Sequence, residues 1–449
     1  CKFVARIAGR EDAGLLGIRI HNGSRLAAAE RDALLQRPAV TGDAAIRTGT
    51  TAIIETVRRD GDAALRQFNQ KFDGAAFNEL RVGQDEIDHA QDALSPEQLA
   101  AIDLAIDNVR RFHRAQMPSS IRVETMPGVV CERHSHPIDA VGLYVPAGTA
   151  PLPSAAIMLA VPADIAGCPV QILCTPPRPD GTADPAVIVA ATRAGVRDIF
   201  KVGGAQAIAA MAYGTESIPR VCKIFGPGNA WVTCAKTLVS GDPSGAAIDM
   251  PAGPSEVLVL ADGSANAEFV ASDLLSQAEH GTDSQVILVT TSAQLAAKVV
   301  TEIDEQLKTL SRADIAAEAL GCSRILVVDS IEEAIAVSND YAPEHLILQV
   351  AEPRSLLPQL RNAGSIFLGE WTPESVGDYC SGTNHVLPTY GFARTYSGLG
   401  VDQFMRQMTV QELSREGLEN LGDAVVSLAG LEGLDAHAAA VTRRLKARS

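Results

Sequence analysis

The spacing of hydrophobic residues predicts a helical first part of the chain, followed by a long part in which strands and helices alternate. Between residues 27 and 115, apolar residues recur at helical intervals, and Ser95 followed by Pro96 is a typical helix start. From about residue 139, short runs of strand-forming residues alternate with helical segments. This repeating order is typical of a doubly wound parallel sheet and predicts an α/β fold.

The alternation occurs in two series, which predicts two α/β sheets. The first series has strands at "AVGLYV", "VQILCT", "RDIFKV" and "CKIF", and helices at "DPAVIVAATRAGV", "AQAIAAMAYG" and "AWVTCAKTLVSG". The second has strands at "EVLVLAD", "QVILVTT", "RILVVD", "HLILQV" and "GSIFLG", with a helix in each interval, the first at 266–281. A loop-rich stretch follows Gly369, and the tail from about residue 402 is expected to be helical.

Composition and charge narrow the class of function. At 449 residues the chain is long enough for about two to four domains. A net charge of −16 disfavours a nucleic-acid partner, because phosphate contacts need clustered Lys and Arg. No apolar run reaches the roughly 20 residues that span a bilayer, and no secretory signal is evident, so a cytoplasmic enzyme is expected. The eight cysteines show no CxxC spacing, which argues against a disulfide framework or a thiolate zinc site.

Two short motifs of the second series place polar groups at element ends. Gln277 and His280 stand three residues apart near a helix end and could hold one ion together, although a surface histidine would fit the same spacing. Glu344 and His345 follow a proline at the mouth of a strand, an edge where α/β sheets present catalytic groups. Taken singly, such a dipeptide is more often structural than catalytic.

Three further residues add to this collection. Asp378 and His385 occur in the loop-rich stretch, and His437 occurs on the last helix. A turn-forming, hydrogen-bonding or surface role would explain each one alone. If all of them converge with Gln277 and His280, they form a thiolate-free set of nitrogen and oxygen ligands suited to Zn²⁺. The HExxH and GxSxG signatures of common hydrolases are absent.

Glycines between a strand and a helix occur in "VGGAQAI" and "IFGPGNAW". Such turns let backbone amides approach a phosphate at a helix N-terminus, but tight packing turns would look the same. The GxGxxG fingerprint is missing. Spacing alone therefore does not establish a nicotinamide cofactor.

A series of long motifs resembles the histidinol dehydrogenase family from about residue 18 to the C-terminus. These motifs are "GLYVPAGTAPLPSAAIMLA", "VGGAQAIAAMAYGTESIP", "KIFGPGNAWVT", "IDMPAGPSEVLVLAD", "ASDLLSQAEHGTDSQVIL", "YAPEHLILQ", "GDYCSGTNHVLPTYG", "MTVQELSREG" and "EGLDAHAAAVTRRL". Their number and order make the resemblance specific. Ala147 stands where the family often has Gly.

The resemblance implies a role for each matching residue. It implies Glu344 and His345 as the acid–base pair and a partner-donated position for His437. The zinc ligands implied are Gln277, His280, Asp378 and His437. The substrate-binding residues implied are Ser255, His385 and Glu432, together with His345 and those four ligands. The NAD-binding residues implied are Tyr144, Gln206 and Asn229.

The resemblance also implies an architecture and an activity. Two large α/β domains with incomplete Rossmann-like, doubly wound parallel sheets are expected, with terminal segments that swap across a homodimer. The expected division is an N-terminal segment at 1–38, a large domain at 39–143 and 255–399 with the zinc and catalytic site, an inserted domain at 144–254 near NAD, and a tail at 400–449. The expected activity is oxidation of L-histidinol to L-histidine through L-histidinal, with NAD⁺ and one Zn²⁺ per subunit.

The sequence leaves two other enzyme activities open. A paralogous zinc- and NAD-dependent dehydrogenase of another small alcohol would use the same scaffold, since fold does not fix substrate. A zinc hydrolase in which Glu344 activates water is a second alternative. A plastid location would require a transit peptide that has been removed.

Overall fold

Parallel sheets flanked by helices make up most of the protein. The computed structural model describes residues 18–37, 44–147, 150–250 and 253–447. The strands are β1 (Arg19–Asn22), β2 (Ile121–Met126), β3 (Val129–Pro137), β4 (Ala140–Tyr144), β5 (Val170–Thr175), β6 (Asp198–Lys201), β7 (Lys223–Phe225), β8 (Ala247–Ile248), β9 (Glu256–Ala261), β10 (Gln285–Thr290), β11 (Arg324–Val327), β12 (His345–Gln349), β13 (Ser365–Leu368) and β14 (Met405–Leu413).

Helices form the layers on both sides of the parallel sheets. The helices are α1 (Ala28–Leu34), α2 (Ala44–Phe68), α3 (Gln84–Asp92), α4 (Pro96–Arg114), α5 (Pro153–Ala166), α6 (Pro185–Arg193), α7 (Gly204–Tyr213), α8 (Ala230–Ser240), α9 (Ala267–Ala278), α10 (Ala293–Leu307), α11 (Ala313–Gly321), α12 (Ile331–Tyr341), α13 (Glu374–Tyr379), α14 (Arg415–Leu431) and α15 (Asp435–Lys446). The predicted capping of α4 is confirmed, because the Ser95 side chain accepts a hydrogen bond from the backbone N–H of Gln98. No helix in the described ranges is both long and apolar enough to cross a membrane.

The five-stranded sheet has the order β6-β5-β4-β7-β8, and all its strands are parallel. The chain starts in the centre at β4, proceeds to one edge and then returns to the other side of β4. This order creates a topological switch point between β4 and β7. Alternation along β4 places Val141 and Leu143 against α4, α5 and α6, whereas Tyr144 faces the core formed with α2, α7 and α8.

The six-stranded sheet repeats this topology. Its order is β1-β11-β10-β9-β12-β13, again with parallel pairing throughout. Val257 and Val259 of β9 pack towards α9, α10 and α11, and Leu258 and Leu260 pack towards α12. All six residues of β9 are buried, which explains the nearly continuous hydrophobic run of this strand. The predicted pair of doubly wound parallel sheets is confirmed.

Two expectations about single elements were wrong, and one sheet was not predicted. The predicted helix between β12 and β13 is a short 3₁₀ helix, Pro353–Gln359, because Pro358 prevents a regular α-helix there. The tail begins with strand β14 instead of a helix, and helices follow only from Arg415. β14 pairs with β3, and β3 with β2, in an antiparallel sheet that the sequence did not predict. β14 is exposed along nearly its whole length, so it lacks the hydrophobic alternation that would have revealed it.

The division into domains stays a prediction. Strand pairing separates the described residues into sheets, but β3 of the predicted large domain pairs with β14 of the predicted tail. Residues 1–17 and residue 38 of the predicted N-terminal segment lie outside the described residues. The rest of that segment adds β1 to the edge of the six-stranded sheet, beside β11.

Candidate active site

The predicted acid–base pair lies at the amino end of the central strands of the six-stranded sheet. Glu344 immediately precedes β12, and His345 is its first residue. The backbone N–H of Glu256, the first residue of β9, donates to Glu344 Oε2 at 2.9 Å, and its carbonyl oxygen lies 3.1 Å from His345 Nδ1. Both side chains are buried. The predicted position at the mouth of this strand is confirmed, and it is the amino end of the sheet, whereas parallel sheets usually present catalytic groups at their carboxyl ends.

A sharp turn brings the chain from α12 into this position. Ala342 adopts φ 52°, in the left-handed region that a residue with a side chain rarely occupies, and its N–H donates to the carbonyl of Ser338. Pro343 follows and cannot continue the helix. The chain therefore leaves α12 at Tyr341 and reaches the start of β12 within three residues, with Glu344 directly before the strand. Strain of this kind is often found at functional sites.

His345 joins the acid–base pair to a second group of polar side chains. Its Nδ1 lies 3.6 Å from Glu344 Oε2, and its Nε2 lies 3.6 Å from Asp378 Oδ1. Burial would lower the pKa of His345, but the carboxylates of Glu344, Asp378 and Glu374 outweigh it and raise the pKa to about 10. Burial raises the pKa of Glu344 to about 8, against the opposing effect of His345. Nε2 is buried without a hydrogen-bond partner among the described residues.

The second group could hold a cation. His280, Glu374 and Asp378 offer ligand atoms that all lie within 4.8 Å of one another. The Gln277 amide lies 3.0 Å from His280 Nδ1. When the amide oxygen faces His280, its NH₂ group donates to both carboxylate oxygens of Glu374 at 3.2 Å. Imidazole nitrogen with carboxylate and amide oxygen fits a borderline divalent cation such as Zn²⁺.

Electrostatics favour the cation-binding protonation states of Asp378 and His280, whereas burial raises the pKa of Glu374 well above its usual value. Burial alone would raise the pKa of Asp378, but His345, His385 and His280 lower it below its usual value. Loss of hydration lowers the pKa of His280 and of His385, although Asp378 opposes this shift in both cases. An ionised carboxylate and a neutral imidazole are the ligand forms that a divalent cation requires. His385 Nδ1 also lies 3.0 Å from the backbone carbonyl of Asp378.

A cavity extends from His280 of this cluster to Asn229, which follows β7 of the five-stranded sheet. It has a volume of about 290 Å³, and its lining includes Ser255, His280 and Asn229. A larger cavity of about 530 Å³ lies at the switch point between β4 and β7, and Tyr144, Gln206 and Asn229 line it. Pro146 and Asn229 border both cavities. The structure thus brings the three predicted NAD-binding residues together around one cavity next to the cluster.

Two predicted residues lie elsewhere in the subunit. Glu432 and His437 are exposed at the end of α14 and the start of α15, and neither belongs to the cation cluster of the described residues. α15 packs against α14. Within one subunit the structure therefore collects Gln277, His280 and Asp378 but leaves His437 apart.

Sequence reasoning missed three residues of the site, of which Glu374 and Glu256 are buried and Asp73 is partly buried. Glu374 lies four residues before Asp378, so both carboxylates occupy the same face of α13, and this spacing could have revealed it. Glu256 is the first residue of the buried strand β9, and no spacing to another polar residue marked it as part of the site. Asp73 lines the larger cavity although it is more than 70 residues before Tyr144 in the chain.

Two doubly wound sheets, the buried Glu344 and His345 beside a group of possible cation ligands, and a neighbouring switch-point cavity are features of an α/β enzyme. Comparison with known proteins gives the family. The histidinol dehydrogenase family model matches residues 36–445. Histidinol dehydrogenase of Vibrio vulnificus is 56% identical over 421 residues, which cover 94% of this chain and 97% of the relative. That of Xanthomonas oryzae pv. oryzae is 55% identical over 428 residues, 95% of this chain and 99% of the relative.

A solved structure agrees with the sequence comparison. The crystal structure of histidinol dehydrogenase from Elizabethkingia anophelis superposes with a TM-score of 0.93 at 45% sequence identity, covering 97% of this chain and 99% of that chain. The chain therefore belongs to the histidinol dehydrogenase family. It is an oxidoreductase that acts on a CH–OH group, and its family catalyses the last steps of histidine biosynthesis.

Proposed function

We propose that this chain oxidises L-histidinol to L-histidine through L-histidinal, with two NAD⁺ reduced per turnover and one Zn²⁺ bound per subunit. The observation that carries the proposal is the position of His345, which lies 3.6 Å from both Glu344 and Asp378. It thereby joins a proton-transfer pair to a cation cluster. The neighbouring cavities provide room for a small amino alcohol and a dinucleotide.

Gln277, His280 and Asp378 would hold the cation, and Glu374 would orient the Gln277 amide. When bound, the cation would fix the imidazole and amino nitrogens of the substrate, and NAD⁺ would accept the hydride. Engagement of Asp378 would also neutralise one of the carboxylates that raise the pKa of His345. The imidazole of His345 would then be neutral more readily, as a general base must be.

The chain's own residues account for the proton transfers. In the first oxidation, His345 takes the proton of the substrate hydroxyl while the C–H bond breaks and its electron pair leaves as hydride. The product is the aldehyde. Glu344 then takes a proton from water as the water oxygen bonds to the aldehyde carbon, and His345 gives the proton it had taken to the aldehyde oxygen, so that a hydrated aldehyde and a neutral His345 result. His345 takes a hydroxyl proton of this hydrate as the second hydride leaves, and the carboxylic acid results.

The backbone of β9 prepares Glu344 and His345 for these roles. One backbone N–H and one carbonyl of Glu256 fix the two side chains at once. Ser255, the preceding residue, lines the cavity beside His280 and would contact the substrate there. His385 would approach the same space from the loop after α13.

We further propose that the active enzyme is a homodimer in which the tail completes the partner's site. His437 and Glu432 are exposed on the tail, where Leu428 and Leu431 are 62% and 83% exposed. Large exposed leucines next to functional residues are typical of an interaction surface. In this arrangement His437 of the partner subunit supplies the remaining ligand, and Glu432 of the partner subunit contacts the substrate. The proposed domain division, with an inserted domain at 144–254, is compatible with this arrangement.

A direct assay tests the activity. NADH absorbance should increase when L-histidinol and NAD⁺ are supplied, stop after treatment with a chelator, and recover on addition of Zn²⁺. L-Histidinal should replace L-histidinol and yield half as much NADH per molecule. NADH formation with other small alcohols but not with L-histidinol would favour the paralogous dehydrogenase. Hydrolysis of ester or amide substrates without NADH formation would favour a hydrolase.

A further inference from the structure

The larger cavity has the chemical character of an adenosine pocket. Ile53, Phe72 and Trp231 form apolar and aromatic walls, and Gln206 and Asn229 contribute amide groups. Planar bases bind well between such walls, while a few polar groups fix their orientation. The cavity also lies at the switch point of the five-stranded sheet, where doubly wound sheets hold nucleotides.

A dinucleotide would occupy both cavities, with its nicotinamide half in the smaller one and its adenosine half in the larger one. Hydride must leave the substrate near His345, so the nicotinamide ring belongs at the cavity that reaches His280 and Ser255. The adenosine half then extends past Pro146 and Asn229, which border both cavities, into the larger cavity. A recognition group in the larger cavity therefore faces adenosine and its ribose.

Asp73 carries the negative charge in the lining of this cavity. The other described residues of the lining are apolar, aromatic, glycine or amide residues, and none of them is Lys or Arg. A pocket that accepts the 2′-phosphate of NADP⁺ usually contains a cationic side chain, whereas a carboxylate accepts hydrogen bonds from a free ribose hydroxyl. The composition of this lining fits the free hydroxyl.

The backbone holds Asp73 firmly in place. Asp73 ends a π-helical turn, Asn69–Asp73, which continues α2, and Gly74 follows with φ 68°. The buried Asn69 side chain donates to the carbonyl of Lys201 at 2.8 Å and so fastens the turn to the end of β6. Such π-helical turns are rare and frequently occur at functional sites.

The carboxylate of Asp73 lacks the hydrogen bonds that its environment would require of a structural residue. Its Oδ2 atom is shielded from solvent and has no hydrogen-bond partner among the described residues. Burial raises the pKa of Asp73 to about 6, and no neighbouring cation or hydrogen-bond donor opposes this shift. An ionised group in this state gains free energy when a ligand donates a hydrogen bond to it.

We propose that Asp73 accepts a hydrogen bond from the 2′-hydroxyl of the adenosine ribose and thereby selects NAD⁺ over NADP⁺. The inference rests on the proposed use of NAD⁺. Asp73 thus sets nucleotide specificity at a distance from the reacting atoms. Its negative charge also repels a phosphate at the 2′ position.

Binding to the unmodified chain tests the proposal without any substitution at Asp73. Trp231 lines the cavity, and its fluorescence should report nucleotide binding. The second tryptophan, Trp371, is 81% exposed, so Trp371→Phe removes its signal from the background. Compared with NAD⁺, we expect 2′-deoxy-NAD⁺ and NADP⁺ each to bind roughly 10- to 100-fold more weakly, as for loss of a hydrogen bond to a charged group.

The variant Asp73→Asn should remove this discrimination. It should weaken NAD⁺ binding, leave 2′-deoxy-NAD⁺ binding nearly unchanged, and strengthen NADP⁺ binding relative to NAD⁺. Asp60→Asn is a matched control, because Asp60 lies on α2, is exposed and pairs with the adjacent Arg59. Thermal unfolding of the empty Asp73→Asn protein should occur at or above the temperature of the unmodified chain, since a buried charge without partners has been removed.

The outcomes separate this inference from the proposed function. Equal affinity of the unmodified chain for NAD⁺ and 2′-deoxy-NAD⁺ would overturn the role of Asp73 while leaving NAD⁺ as the cofactor. If Asp73→Asn weakened the binding of NAD⁺ and of 2′-deoxy-NAD⁺ by the same factor, the role of Asp73 would be purely structural. Absence of binding by every nicotinamide nucleotide would instead overturn the proposed function, and the inference with it.

Discussion

Glu344 differs from the other carboxylates near His345 because a backbone N–H of the neighbouring strand holds it. This contact directs one carboxylate oxygen towards β9, at 2.9 Å from the nitrogen of Glu256. Its proposed task is to activate water, which only the second oxidation requires. Glu344→Gln should therefore slow the conversion of aldehyde to acid roughly 10²- to 10⁴-fold, and the alcohol step much less.

Separate assays with L-histidinol and with L-histidinal measure the two halves of this reaction. His345→Asn should slow both halves, because His345 takes a proton in each oxidation. Glu352→Gln is a control for the loss of one negative charge, since Glu352 is exposed beyond the opposite end of β12. Equal loss of both halves in Glu344→Gln would contradict the water-activating role.

Asp378 and Glu374 lie on one face of α13 but make different contacts. Asp378 belongs to the proposed ligand set and contacts His345, whereas Glu374 can hold the Gln277 amide with its two oxygens. Asp378→Asn should therefore abolish most Zn²⁺ binding. Glu374→Gln should weaken it by about 10- to 100-fold, the usual effect of removing a group that orients a ligand. Competition with a chromophoric chelator measures both affinities.

The exposed Glu370 provides a control for these two variants, because Glu370→Gln removes a charge just before α13. A larger loss of Zn²⁺ affinity in Glu374→Gln than in Asp378→Asn would reverse the assignment. Glu374 would then be the ligand, and Asp378 would be the orienting group.

At the scale of elements, buried strands were predictable and exposed ones were not. β9 and β10 are buried along their whole length, and their hydrophobic runs identified them. β2 and β14 are almost fully exposed, so pairing rather than burial defines them, and pairing between residues far apart in the chain leaves no local pattern. The position of Glu344 and His345 at the start of β12 was visible in the sequence, but their proximity to α13 was not, since it depends on tertiary packing.

Sequence spacing predicted only part of the site for the same reason. Gln277 and His280 share one helix end, and that relation is local. Their proximity to Asp378 requires the packing of α13 near α9, which only the folded chain shows. Asp73 reaches the larger cavity because its π-helical turn is fastened to β6, and no local pattern indicates such a contact.

The segment before residue 38 stabilises the amino ends of β9 and β12. Arg37 donates from Nε and one terminal nitrogen to the two oxygens of Glu256, each at 2.7 Å, and to the carbonyl of Tyr341 at 2.8 Å. Its guanidinium also stacks on the Tyr341 ring. Glu256 is the residue whose backbone fixes Glu344 and His345. We therefore expect Arg37 to position the proposed acid–base pair through Glu256.

Arg37→Ala should reduce kcat while KM for NAD⁺ stays nearly constant, because the nucleotide cavity is not touched. Loss of one partner from a buried ion pair should also lower the free energy of unfolding by about 3–5 kcal/mol. Arg37→Lys should restore stability in part but kcat less, since lysine cannot form the two-pronged contact. Arg31→Ala is the control, because Arg31 lies in the same segment, 3.9 Å from Glu333 at the surface. An unchanged kcat in a destabilised Arg37→Ala protein would limit Arg37 to a structural role.

At the scale of the whole molecule, one subunit offers an incomplete set of the proposed ligands. Gln277, His280 and Asp378 meet near His345, but His437 lies on an exposed helix of the tail. Catalytic zinc often has three protein ligands and an open position, so either these three residues hold the cation alone or a second subunit supplies a fourth ligand. The exposed leucines beside His437 favour the second subunit.

Mixed dimers distinguish these two possibilities. His280→Ala and His437→Ala should each be nearly inactive as pure proteins, because each removes a ligand from both sites of a dimer. After unfolding and refolding of an equal mixture, half of the dimers should contain one subunit of each kind. If the tail acts in trans, one of the two sites in each mixed dimer is intact, and about a quarter of the unmodified activity should return. If His437 acts within its own subunit, every site lacks one ligand, and the mixture should remain as inactive as its components.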